Sequence, residues 1–184
     1  MSDSVRVILG IDPGSNLLGY AFLRVENRKV VLITMGTLDM RSQDNQLDKL
    51  KQIFEELSAL IRLYEPTDAA VEAPFYGKDA QAMLKLGRAQ GVAMVAAGVQ
   101  GLKVTEYSPR SVKKAVTGKG NASKEQVAAM LPHLVEGEIT YKFIDASDAL
   151  AVAYCHYLQN NSITGGATKF SSWADFLKSN PDKK

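Results

Sequence analysis

Four carboxylates, Asp12, Glu72, Asp145 and Asp148, carry the strongest chemical signal in this sequence. Asp12 follows the apolar run 5–11 and precedes Pro13-Gly14. A residue before proline is pushed out of the α region toward β, so a strand runs through Asp12 and breaks immediately after it. Glu72 closes the short segment 68–72, Ala-Ala-Val between two acids, in the same manner. Asp145 and Asp148 stand at i and i+3 where a helix begins, which puts both on one helical face. Converging carboxylates repel and are costly to desolvate, and the usual resolution is one or two hard divalent cations with oxygen ligands. Two Mg²⁺ ions roughly 4 Å apart, with Mn²⁺ able to substitute, would clamp the attacking and leaving oxygens of a phosphodiester. Two plainer readings stand beside this one. Asp-Pro-Gly is a common turn composition, and acids in a first helical turn suit the positive end of the helix dipole without any metal.

The elements that must position these groups follow from periodicity. Residues 17–25 and 30–38 form a second and a third strand around the polar turn Glu26-Asn27-Arg28-Lys29, an antiparallel meander after the first strand. Leu47, Leu50, Ile53, Phe54, Leu57, Leu60, Ile61 and Tyr64 make one apolar helix face, stopped by Pro66. Strand 68–72, a helix over 79–100 and a strand over 104–107 compose a right-handed parallel βαβ unit. Ser108-Pro109 opens a short basic helix to about residue 116, and Ser123 with Gln126 makes a capping box for the next. His133, after Pro132, is expected in a loop. A last helix starts near Asp145 and carries Ala149, Leu150, Val152, Ala153, Tyr157 and Leu158. The sum is an α/β fold with a mixed five-stranded sheet flanked by helices. If the first and fourth strands are neighbours, Asp12 and Glu72 end on one sheet edge and the last helix can bring Asp145 and Asp148 against them.

A chain of 184 residues, 46% hydrophobic and 23% charged, suits one globular domain with a real core. Residues 1–159 are read as that domain and 160–184 as a flexible tail, in which Trp173, Phe176 and Leu177 could dock as one helical turn. No apolar run approaches the roughly 18 residues of a membrane span, and Met-Ser-Asp-Ser does not begin a secretion signal. The expected location is the cytoplasm. Cys155, the single cysteine, reads as a small buried hydrophobe. With only His133 and His156, no Ser-His-Asp arrangement competes, and both histidines read as structural or exposed.

Basic residues cluster at Lys103, Arg110, Lys113, Lys114, Lys119 and Lys124, as a surface that tracks phosphates requires. For any one of these lysines a solvated helix face is the plainer account. Phe75 and Tyr76, with Lys78, follow Glu72 in a loop, where an aromatic could stack on an unpaired base or simply pack. Gly87, Gly91 and Gly98 interrupt a helix at about 1 kcal/mol each relative to alanine. They imply close approach of a second backbone, either the sheet beneath or another subunit.

Ile-Leu-Gly-Ile-Asp-Pro-Gly-Ser (8–15), Val-Glu-Ala-Pro-Phe (71–75), Leu-Lys-Leu-Gly-Arg-Ala-Gln-Gly-Val (84–92) and Asp-Ala-Ser-Asp-Ala-Leu-Ala (145–151) together resemble the RuvC family of Holliday junction resolvases, over about residues 5–158. The resemblance implies a ribonuclease H-like fold, a homodimer, Mg²⁺ dependence and symmetric nicking of two strands at a four-way DNA junction. It carries catalytic and metal-holding roles onto Asp12, Glu72, Asp145 and Asp148, and DNA contact near the scissile phosphate onto Lys113 and Lys124. It further implies work beside the RuvA–RuvB branch-migration complex in recombination and repair; the residues beyond Gln159 match nothing in it.

Two other classes are weighed. Asp-Pro-Gly after a first strand could be the phosphate loop of an actin-like ATPase, but such proteins enclose their nucleotide between two domains and this chain has length for one. A nuclease-like domain kept only for binding gains nothing from four repelling acids near DNA phosphates.

Overall fold

The computed structural model describes residues 5–74, 77, 79–139 and 144–164. Five strands, β1 (Arg6–Asp12), β2 (Leu17–Glu26), β3 (Lys29–Asp39), β4 (Asp68–Glu72) and β5 (Lys103–Tyr107), make one sheet in the order β3-β2-β1-β4-β5. β1, β2 and β3 pair antiparallel, whereas β4 pairs parallel with both β1 and β5. The sheet is therefore mixed, and β1 lies at its centre beside β4. The helices are α1 (Gln46–Tyr64), α2 (Ala80–Gly98), α3 (Pro109–Thr117), α4 (Lys124–Leu134) and α5 (Ile144–Thr164). Ser108 caps α3 ahead of Pro109, and Ser123 with Gln126 forms the capping box of α4.

Strand alternation assigns each sheet residue to one of two cores. Leu9, Ile11, Leu18, Phe22, Ala69 and Val71 pack against α1 and α2. Ile8, Ala21, Leu23 and Ala70 face α5, which is covered in turn by α3 and α4. That double coverage is why α5 is apolar almost all round, with Ala149 to Tyr157 buried throughout. Period two then fixes the catalytic candidates: Asp12 shares the face of Ile8, and Glu72 shares the face of Ala70. Both look toward α5.

Several expectations shift. His133 lies inside α4 rather than in a loop, with Pro132 one residue before it. The 79–100 helix is Ala80–Gly98, with Asp79 as its N-cap. α5 continues through Thr164, past Gln159. Gly87, Gly91 and Gly98 would each meet nothing within 4 Å if given a Cβ, so they do not serve close packing on the sheet. Cys155 is buried, as expected, and burial pushes its thiol up to about 11. His156 is buried too, between the Tyr107 hydroxyl at 3.0 Å and the Asn160 amide at 2.8 Å. Among the described residues, no helix is long and apolar enough to cross a membrane. The tail's Trp173, Phe176 and Leu177 lie outside the described residues.

Candidate active site

Parallel pairing of β1 with β4 runs from Ile8 opposite Asp68 to Ile11 opposite Val71, so Asp12 and Glu72 emerge together at the next step. The first turn of α5 descends onto this edge. It can do so because two strand positions beneath it are glycine. A Cβ at Gly10 would stand 2.2 Å from the carbonyl oxygen of Ala149, and one at Gly19 would stand 2.0 Å from that of Asp145. Gly19 is the β2 partner of Asp12. The absent side chain beside the strand carboxylate is thus what admits the helix carboxylates.

The result is a trio, Asp12, Asp145 and Asp148, whose ligand oxygens lie within 4.8 Å of one another. Glu72 stands next to it and shares a side-chain hydrogen bond with Asp12. Burial, then the charges of Glu72 and Asp148, raise the Asp12 carboxyl to about 8. Burial also raises Glu72, though the hydrogen bond from Asp12 works the other way. The two carboxyls titrate as a pair, with burial raising both. Lys124 pairs with Asp148 across the site. Burial alone would lower its ammonium, but Asp148, Asp12 and Asp145 together raise it. An all-oxygen donor set of this density suits a hard divalent cation.

These groups line a cleft of about 730 Å³, whose lining also includes Arg110 and Lys113 from α3 and Lys124 from α4. Lys113 lies close enough to lower Glu72 electrostatically. Of the other basic candidates, Lys114 is exposed on α3 and Lys119 sits in the α3–α4 loop, and neither lines the cleft. Lys103 starts β5 opposite Asp68, at the far end of the sheet from Glu72. Phe75, Tyr76 and Lys78 lie outside the described residues. Sequence reasoning passed over Gly10, Gly19 and Gln90. The glycines leave a readable trace, since each falls on the same strand face as a buried neighbour. Gln90 leaves a fainter one, legible only once the phase of α2 puts it among Ala89, Ala93, Ala96 and Ala97.

The family model for crossover junction endodeoxyribonuclease RuvC matches residues 8–156. A crossover junction endodeoxyribonuclease RuvC from Cytophaga hutchinsonii is 46% identical over 178 residues, 97% of this chain and 88% of that protein. Its counterpart from Porphyromonas gingivalis is 45% identical over 187 residues, covering 100% of this chain and 99% of its own length. The C-terminal residues, expected to match nothing, are thus aligned in that relative. Among solved structures, T. thermophilus RuvC in complex with Holliday junction substrate superposes with a TM-score of 0.80 at 29% identity, over 86% of this chain and 97% of that one. The ribonuclease H-like sheet, the carboxylates gathered at its edge and these matches over nearly the whole sequence lead to one assignment: the chain belongs to the RuvC family of crossover junction endodeoxyribonucleases.

Proposed function

We propose that this chain resolves Holliday junctions by nicking two strands symmetrically, with the Asp12 cleft as the hydrolytic site. The observation that carries the reading is the oxygen trio of Asp12, Asp145 and Asp148, with Glu72 beside it, in a cleft also lined by Arg110, Lys113 and Lys124. Acids and bases lining one cleft suit a phosphodiester held between cation and lysine.

Asp12, Asp145 and Asp148 would hold a divalent cation, proposed as Mg²⁺, two per site with Glu72 completing the set. Such a cation supplies charge stabilisation at the phosphate and an activated water. The protein's own part is to place and to exclude. Asp12 and Glu72 share a hydrogen bond when no cation is bound, and both must be deprotonated to hold one. Lys113 and Lys124 hold phosphate oxygens at the cleft, and Arg110 extends the same positive lining, with Lys114 and Lys119 contacting the backbone farther out. On sequence grounds, Phe75 stacks on a base at the branch point, with Tyr76 and Lys78 beside it.

The proposed working unit is a homodimer. α2 exposes Leu84, Gly87, Gly91, Val95, Gly98 and Val99, spaced as one helical stripe. A second copy of α2 laid against it would bury apolar side chains and bring two backbones close at the glycines. The proposed setting is recombination and repair in the cytoplasm, beside the RuvA–RuvB complex. All the chemistry named here falls in the proposed domain, residues 1–159, whose last helix runs on through Thr164. The deciding experiment incubates the protein with a synthetic mobile four-way junction, with and without Mg²⁺, and maps products on a sequencing gel. Paired nicks at symmetric positions, dependent on the metal, are expected; uncut junction in Mg²⁺ refutes the reading.

A further inference from the structure

We propose that Gln90 is a positioning residue for cleavage: its amide ties the end of β4 to α2 and so sets where the Glu72 carboxylate stands. The buried face of α2 consists of Ala89, Gln90, Ala93, Ala96 and Ala97. Four alanines bring the helix close to the sheet. One glutamine among them buries an amide, which is costly unless the amide is hydrogen-bonded. Gln90 is 8% exposed and lines the cleft with Glu72. Its Nε2 donates to the Glu72 backbone oxygen over a long 3.5 Å.

That carbonyl sits at a weak point of the sheet. The ladder between β1 and β4 ends at Ile11 and Val71, one residue short of Glu72. From the β5 side the strand end is held through Ala73, whose N–H donates to the Tyr107 oxygen at 2.8 Å. Gln90 supplies the matching tether from the helix side. Glu72 is the last residue of β4 and pairs with Tyr107 of β5. The β1 ladder stops short of it, so on that side no strand resists a shift that moves its carboxylate against Asp12. A packing role alone would be met by another alanine or a leucine. An amide whose hydrogen bond ends on the backbone of a site carboxylate is a different choice.

The inference rests on the cleft being the hydrolytic site, so its test includes a readout independent of cleavage. Gln90→Met keeps length and burial but cannot donate; Gln90→Asn keeps the amide but falls short by one methylene. Each is compared with wild type for thermal unfolding, metal-free junction affinity, Mn²⁺ affinity by electron paramagnetic resonance, and single-turnover kcat and KM. Expected for both is a loss of about tenfold or more in Mn²⁺ affinity or in kcat, as for removal of a group that orients a metal ligand, with KM and metal-free junction affinity unchanged. Mn²⁺ affinity and kcat both within twofold of wild type overturn the proposal. So does a fall in melting temperature in both variants with the folded fraction cutting normally. If wild type binds Mn²⁺ yet leaves junctions uncut, the resolvase reading fails while the Mn²⁺ comparison still decides the role of Gln90.

Discussion

Gly19 lies directly under Asp145: a Cβ on the strand residue would stand 2.0 Å from the helix residue's carbonyl oxygen. The same glycine pairs with Asp12 across β1 and β2. One missing side chain thus sets the separation between the strand and helix carboxylates. Gly19→Ala must lift the start of α5, an overpacking that costs about 1–3 kcal/mol. The expected outcome is a folded protein with lowered Mn²⁺ affinity and little cleavage, but wild-type affinity for a junction in the absence of metal. Thermal unfolding, metal titration and gel shift on one preparation check all three.

Asp12, Glu72, Asp145 and Asp148 are expected to hold metal rather than DNA. Asn or Gln at each should abolish cleavage while leaving metal-free junction affinity unchanged or slightly improved, since negative charge near phosphate is removed. A gel shift in EDTA measures this. Loss of binding in Asp12→Asn would reassign the residue.

The carboxylates were legible because strand ends and helix starts announce themselves locally, through Pro13 after Asp12 and the i, i+3 pair at 145 and 148. Their convergence was legible only conditionally, since neighbouring strands are not written in either strand's own residues. Lys103 was misgrouped because closeness in sequence is not closeness in space: β5 carries it to the far end from Tyr107. His133 was misplaced because Pro132 signals a helix stop. Burial of Leu131 and Val135 against the α5 core outweighs that local preference and carries the turn through. The role of Gly87, Gly91 and Gly98 needed the phase of α2, which Ala89, Ala93, Ala96 and Ala97 set by turning inward. Gly10 and Gly19 escaped notice because a strand glycine shows its purpose only when the helix above it is in place.

For Lys113 and Lys124, each Ala substitution should reduce the magnitude of the slope of log affinity against log salt by about 1, if each neutralises a phosphate. The two differ otherwise. Lys124 pairs with Asp148, so Lys124→Ala should also tighten Mn²⁺ binding by removing a competing cation. Lys113→Ala, with no such pair among the described residues, should do so less. Unchanged salt slopes for both would return them to ordinary surface charge.

Burial and its acidic neighbours raise Asp12 from 3.8 to about 8. Between those values the folded chain keeps a proton that the unfolded chain has lost, so this group's contribution to stability is present in acid and declines as pH rises toward 8. In EDTA, Asp12→Asn should therefore lose less melting temperature than wild type between pH 5 and pH 8. At pH 8 it should exceed wild type, at about 2–4 °C per kcal/mol of repulsion relieved. Metal affinity follows the opposite course, because a ligand must be deprotonated. Mn²⁺ affinity of wild type should rise with pH and level off above about 8. A flat profile would mean that Asp12 is already ionised at neutral pH.

The last prediction concerns the pairing of sites. A junction offers two equivalent strands, and a two-fold dimer sets identical clefts against them. One sheet edge carries one constellation of Asp12, Glu72, Asp145 and Asp148, so a single subunit can nick but not resolve in one binding event. Mixed dimers of wild-type and Glu72→Gln subunits, purified through two tags, should therefore nick without resolving. On a cruciform in a supercoiled plasmid, one nick gives open circles and two coordinated cuts give linear DNA, so open circles are expected from the mixed dimer. Linear product at the wild-type rate would show one subunit making both cuts. Replacing Gly91, on the exposed stripe of α2, with Arg should convert the free protein to a monomer by sedimentation, since a large cation there blocks close helix approach. An unchanged dimer would move the interface off α2.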